Sequence, residues 1–400
     1  MAKTPPVTDW KTDYDIFDPD YVRDPLPIWN SLRAECPIAH TDRWGGSWLP
    51  TRYKDLQAFV RMVPELSSKE PLVVPPQELD PDSEHAEVTA PPITSDPPTQ
   101  IPIRRMILPF FTPKAVAVHR PDTEALCHAL IDEFIDTGAC DGAVQYAQQI
   151  PPRVIANMMG IDPDRSADFV EWVRGVLEIG LTDPETRLKY RSIILGFFSD
   201  LVKERRKNPG DDLISRLIAC ELEGEPVTDG TVIGMCNLLL IAGIDTTWSS
   251  IGAALWHFAG NARDRRRLAG EPTLFPTAIE EILRYYAPVT MARVCQRDIE
   301  VGDVTFKEGD RVLMNFPGAN HDPEAFDRAD EVVLDREKNR HIAFGVGIHR
   351  CAGSNLARME MDVALRVWFE RIPEFVLSDP NAVTWAGGQV RGPRNMAIKF

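Results

Sequence analysis

Ten residues near the end of the chain, Phe344-Gly345-Val346-Gly347-Ile348-His349-Arg350-Cys351-Ala352-Gly353, bring together a thiol, an imidazole, a guanidinium and three glycines. Glycine lets a backbone turn tightly and approach a flat ligand closely. Leu356, Ala357, Met361 and Val363 recur at helical spacing, so a helix is expected from Cys351 to about Glu370. Free N–H groups at a helix start favour a thiolate, and a thiolate suits a soft metal bond, haem iron foremost. In isolation the same loop also reads as a phosphate cradle, but it lacks the GK[ST] of that motif. Two further groups stand upstream. Glu281 and Arg284 are three apart and share a helix face, a spacing that a surface ion pair shows equally well. Asp245 and Thr246, in Ala242-Gly243-Ile244-Asp245-Thr246, interrupt an apolar run. An acid there is expensive unless used or satisfied, and Thr246 is placed to bond the Ala242 carbonyl and open a notch in the helix ladder. A solvated helical patch is the plainer reading of this pair.

These groups need a scaffold. The 400 residues are 44% hydrophobic, enough for a large core. With 44 Lys and Arg against 60 Asp and Glu the net charge is −16, which argues against nucleic-acid binding and leaves room only for a local basic face. Met1 to Trp10 hold no apolar run, and no stretch is expected to reach the roughly 18 to 20 apolar residues of a membrane span. The seven cysteines lack CxxC spacing, against a disulfide framework or structural zinc. A soluble, cytoplasmic protein without membrane insertion is the expectation.

Periodicity predicts helices over Val118 to Asp136, Pro152 to Met159 and Glu185 to Lys207, the last stopped by Asn208-Pro209-Gly210. Thr228 reads as the N-cap of a helix running to about Ala259, apolar almost all round between Cys236 and Ile244. Pro276 to Tyr286 follows as a helix. Short strands are expected at Ile299 to Val301, Val304 to Phe306 and Arg311 to Asn315. Glu70 to Pro98, dense in proline and acids, cannot be one regular element. No Rossmann fingerprint is present. The fold class is mainly α with minor β.

The Phe344–Gly353 stretch resembles the haem-binding loop of cytochrome P450, FGxGxHxCxG, at every fixed position, and Leu356-Ala357-Arg358 with Glu360 continues the likeness. Glu281-Ile282-Leu283-Arg284 is similar to the family's ExxR. Arg336, in Leu334-Asp335-Arg336, matches the arginine that closes that salt-bridge network, a structural group that holds the meander behind the haem. The likeness runs from Asp18 to Arg391-Gly392. It implies one P450 domain over residues 1–400 without a fused reductase, with haem b between the long central helix and the helix after Cys351.

The resemblance implies roles residue by residue. Cys351 would be the iron ligand, and Asp245 and Thr246 the acid–alcohol pair that delivers protons during oxygen activation. Ala242, Gly243, Phe344, Gly345 and Gly353 would touch the cofactor, whose carboxylates would meet His349, Arg293 and Arg104. The family's HxxxR segment carries Gln100 where histidine is usual, which alters one such contact. Leu239, Ala242, Val289, Ala292 and Val390 would line the substrate pocket, with walls from Glu70 to Ser95 and Phe169 to Thr182. The implied reaction inserts one oxygen atom of O2 into a small, largely apolar substrate. Electrons would come from NAD(P)H through a ferredoxin or flavodoxin with its reductase, docking near Arg350 and Arg358 of a monomer. A peroxygenase or haem-dependent rearranging enzyme, and a non-catalytic haem-binding sensor, are the alternatives. No substrate anchor is evident, so acids, terpenes, steroids and aromatics all remain open. The cluster Arg263, Arg265, Arg266 and Arg267 reads as a solvated helix face.

Overall fold

The computed structural model describes residues 5–76 and 87–400. The proline-rich segment thus falls outside the described residues at 77–86, and its flanks, 68–76 and 87–99, hold no helix or strand. Mainly α with minor β is the observed class.

The central helix, Asp229–Gly260, starts where its cap predicts: Thr228 Oγ1 accepts from the Thr231 N–H at 3.2 Å. At 1.5 Å per residue it is about 48 Å long. It is packed by the helices Ile150–Met159, Ser166–Leu177, Pro184–Lys207 and Ser354–Arg371 and by the strand Gly392–Asn395. Contrary to expectation, it is long and apolar enough to cross a membrane, but 72% of its most apolar window is buried inside the protein. Its all-round apolar surface is accounted for by neighbours on every side.

Boundaries shift where local chemistry is permissive. The predicted Pro152 helix begins earlier, at Ile150, with Pro151 and Pro152 in a first turn that lacks acceptors for their missing N–H groups anyway. The predicted Val118–Asp136 helix contracts to Arg120–Asp132. The helix expected from Cys351 begins at Ser354. Arg265, expected on a solvated face, is 3% exposed; it donates to the Phe258 carbonyl and pairs with Glu374 at 2.8 Å.

The main sheet orders its five strands as Ile38–Thr41, Ser47–Pro50, Arg311–Met314, Met291–Cys295 and Leu66–Ser67. All neighbours are antiparallel except Arg311–Met314 beside Ser47–Pro50. Thr384–Ala386 and Gly392–Asn395 form a separate hairpin. Its second strand lies along the central helix, which decides the surroundings of Asp245.

Candidate active site

The cysteine loop is shaped by two left-handed glycines, Gly345 (φ 65°) and Gly347 (φ 73°), a conformation that a Cβ disfavours. The Cys351 N–H closes the loop on the Phe344 carbonyl at 2.8 Å. The thiol precedes the following helix by three residues instead of opening it. Burial pushes the Cys351 thiol up, while the Gly353 N–H and the charges of Arg104, Arg350 and Arg358 pull the other way. Its exposed surface faces a cavity of ≈ 240 Å³. The wall of that cavity includes Phe344, Gly345, Gly353 and, from the central helix, Leu239, Ala242, Gly243 and Thr246.

Arg104 and His349 supply cationic or donor groups to the same cavity. Arg104 Nη2 donates to the Arg350 carbonyl. Arg293 is 6% exposed, its Nη1 donating only to the neighbouring Ala292 carbonyl at 2.7 Å, and burial lowers its pKa to about 10. His349 is lowered to about 4 by burial and by Arg293 and Arg104, and its buried Nε2 has no partner among the described residues. Asp96, the carboxylate that acts on both Arg293 and His349, is already held by the Ser67 hydroxyl and the Ser68 N–H. A buried Arg293 beside a buried imidazole nitrogen without a partner is costly unless an anion completes the set. Among the described residues no group of three or more His, Cys, Asp or Glu is arranged to hold a metal. A metal here would therefore take one protein ligand, Cys351, with the rest from a bound group. A sulfur donor, apolar walls and cations for carboxylates fit haem.

Gln100 stands one step back from this cavity. It is 1% exposed and its Nε2 donates to the Ile348 carbonyl at 2.9 Å, bracing the loop from outside the cavity lining.

On the central helix, Thr246 Oγ1 donates to the Ala242 carbonyl at 2.8 Å, and the backbone stays helical through it. Asp245 points away into protein. Its Oδ1 accepts from Arg394 Nη2 at 2.8 Å and from Ser249 Oγ at 3.2 Å, and its buried Oδ2 has no partner among the described residues. Burial pushes the Asp245 carboxyl up, against the pull of Arg394. Arg394 also pairs with Glu178 at 2.7 Å, which Arg174 reaches at 2.8 Å. Sequence reasoning missed Arg394, Glu178 and Arg174: the last two stand at an i,i+4 spacing that an ordinary surface pair also shows, and no local pattern marks Arg394.

Glu281, Arg284 and Arg336 meet behind the cysteine loop. Glu281 and Arg284 are fully buried and pair at 2.8 Å. Glu281 also accepts from Arg336 Nε at 2.9 Å, Asn339 Nδ2 at 3.1 Å and the Val333 N–H at 2.8 Å. Arg284 donates to the carbonyls of Asn320, Ala329 and Glu331. Every face of both charges is thus hydrogen-bonded, the condition under which a buried pair is tolerated. The adjacent Glu280 takes Arg358 and His341. Despite burial, these two hold its carboxyl down to about 2. Arg358 lies 4.5 Å over the Phe344 ring, tying this helix to the cysteine loop.

A second compartment of ≈ 340 Å³ adjoins the first, and Ile93, Leu238, Ala242, Thr246, Val289 and Met291 line both. Val176, Leu177, Ile241 and Val390 add apolar wall. Ala292 is a correction: it is fully buried in a core cluster with Leu49 and Leu313. Successive residues of a strand face opposite sides, so Met291 reaches the cavity and Ala292 cannot.

The family model for cytochrome P450 matches residues 176–372. Cytochrome P450 107B1 of Saccharopolyspora erythraea is 31% identical over 382 residues, 92% of this chain and 93% of that protein. Among solved structures, the bacillaene polyketide synthase cytochrome P450 PksS of Bacillus subtilis 168 superposes with a TM-score of 0.87 at 26% identity, covering 96% of this chain and 99% of that one. P450BioI, solved in complex with an acyl carrier protein ligated to hexadec-9Z-enoic acid, gives 0.84 at 25% identity, covering 95% and 99%. Similarity sustained along nine-tenths of both chains, on one shared scaffold, makes this chain a member of the cytochrome P450 family of haem b monooxygenases.

Proposed function

We propose that this P450 hydroxylates a small, largely apolar substrate held in the second compartment against Thr246, with Cys351 as the haem-iron ligand. The carrying observation is that Thr246 lines both compartments at once. One residue therefore borders both the cysteine cavity and the space left for substrate. When bound, haem b supplies the redox chemistry that reduces O2 and transfers one of its oxygen atoms. Cys351 would hold its iron, and Arg104, Arg293 and His349 its carboxylates.

The chain's own residues then have three tasks. The apolar walls of the second compartment, Ile241, Val289, Met291 and Val390 among them, bind the substrate body and exclude water, while Leu239 lines only the cysteine cavity. Thr246, donating to the Ala242 carbonyl, keeps its oxygen as an acceptor and can pass a proton on. Asp245, behind it, has a carboxyl raised by burial and a free Oδ2, properties of a group that takes up and releases protons nearer neutrality than an exposed aspartate. Two protons and two electrons accompany each O2; one oxygen enters the substrate and the other leaves as water. Residues 1–400 act in this reading as one P450 domain. The electrons come from NAD(P)H through a ferredoxin or flavodoxin with its reductase. Arg350, exposed beside Cys351, offers a local positive point to an acidic carrier.

Thr246→Ala tests the reading. NAD(P)H consumption is expected to persist while product falls and peroxide rises. Unchanged coupling of product to NAD(P)H would remove Thr246 from the mechanism.

A further inference from the structure

The polar residues Lys69, Glu70, Arg187, Arg191 and Asn237 line the second compartment, and none of them lines the first. Arg187, on the helix Pro184–Lys207, is 6% exposed. Its Nη2 donates to the Pro75 carbonyl at 3.2 Å, and its buried Nη1 has no partner among the described residues. Glu70, which lines the same compartment, is taken by Arg311 at 2.7 Å. Arg191, one helical turn on, donates to the Val88 carbonyl at 2.7 Å. The backbone is shaped around this arginine. A Cβ on Gly180 would stand 2.7 Å from Arg187 Cβ and 2.2 Å from the Gly175 carbonyl oxygen, closer than packing allows. Burial and the neighbouring Arg311 lower the Arg187 pKa, as expected of a cation held without its anion.

We propose that the substrate is an amphipathic carboxylic acid whose carboxylate binds Arg187, with its apolar body running past Leu177, Ile241 and Val289 to Thr246. This deepens the proposed function and rests on reading the second compartment as the substrate site. A planar guanidinium with an unpartnered N–H matches a carboxylate oxygen. The residues shared by the two compartments, Ile93, Leu238, Ala242 and Val289, give the body a continuous apolar path from the anion to the reacting end. An ester or a carrier-bound thioester lacks the anion and has nothing to offer Nη1.

The test uses haem-loaded protein whose reduced carbonyl spectrum has been recorded. Dodecanoic, 4-butylbenzoic and dehydroabietic acids, each beside its methyl ester, are titrated by the low-to-high-spin Soret shift and by calorimetry. At least one acid is expected to bind ten-fold or more tightly than its ester. Arg187→Gln should weaken that acid by about 10- to 100-fold, the range for losing a charge-assisted hydrogen bond, and bring acid and ester level. Arg187→Lys should recover part of the loss, while imidazole binding stays as in the parent, showing an intact site. Equal affinity of every acid and its ester, no calorimetric binding of any acid, or an unmoved acid affinity in Arg187→Gln would each overturn the proposal. A carbonyl spectrum without the thiolate signature would instead refute the Cys351 assignment, and the calorimetric comparison would still report on Arg187.

Discussion

Arg394→Met removes the cation between Asp245 and Glu178, side chains of which Arg394 and Asp245 are 6% and 1% exposed. Glu178 keeps Arg174. Among the described residues Asp245 keeps one hydrogen bond, from the Ser249 hydroxyl, and the more distant charge of Arg174, so most of the penalty falls on one carboxylate. Stripping one partner from a buried pair costs about 3–5 kcal/mol. With an unfolding entropy near 2.1 cal/mol/K per residue, a chain of this length loses about 1.2 °C of midpoint per kcal/mol, so a drop of about 4–6 °C is expected near neutral pH. The loss has a pH signature. The folded Asp245 pKa already lies above its ordinary value because of burial, and losing Arg394 raises it further. Between the unfolded and folded values the native state then holds a proton that the unfolded chain has released, so stability falls as pH rises. The deficit against the parent should therefore be small near the ordinary aspartate value and grow toward neutrality. Asp245→Asn in the Arg394→Met background removes the stranded charge and should recover about 2–3 kcal/mol, an interaction energy typical of contacting groups. Calorimetric midpoints at pH 4.5 and 8, at matched haem loading, provide the assay. A deficit equal at both pH values, or a double variant as unstable as Arg394→Met alone, would refute the pairing as the source of stability.

Two other substitutions probe the supports of the loop. Glu281→Gln leaves Arg284 and Arg336 buried without their anion and should cost about 3–5 kcal/mol, read as a collapse in haem-loaded, folded yield; a yield and midpoint like the parent's would contradict it. Gln100→Ala strips the part-buried Ile348 carbonyl of its donor, a loss of about 1–3 kcal/mol, and should speed haem transfer to apomyoglobin several-fold. An unaltered transfer rate would show that Gln100 does not brace the loop.

What could be read in the residues was local chemistry. The cysteine loop holds its thiol, glycines and imidazole within ten positions, and the central helix declares itself by one cap and a long apolar run. The long-range contacts were not legible. Arg394 meets Asp245 across 149 positions and Gln100 meets Ile348 across 248, and neither residue type, met singly, marks its partner. Ala292 was misplaced because strand parity is set by pairing, here Met291 with Met314 and Ala292 with Leu313, which one strand's sequence does not contain. The helix after Cys351 starts late because Gly353 at its N-cap offers no side-chain bond, so no cap residue marked the boundary. Arg187 escaped notice for another reason: on the page it is one cation among several in a charged helix, and only burial sets it apart.

The hairpin strand Gly392–Asn395 gives the molecule an order of completion. The stretches 242–246, 281–284 and 344–353 have all been synthesised before Arg394 leaves the ribosome. Until that strand docks beside the central helix, Asp245 lacks Arg394, and closing the helix over it favours the protonated acid. The surroundings of Asp245 are therefore completed by a strand that lies 149 positions further along the chain. A transcript cut short after residue 391 would encode the stretches 242–246, 281–284 and 344–353 and still leave Asp245 without Arg394. A strand of four residues thus separates encoding the motifs from completing the interior that holds them.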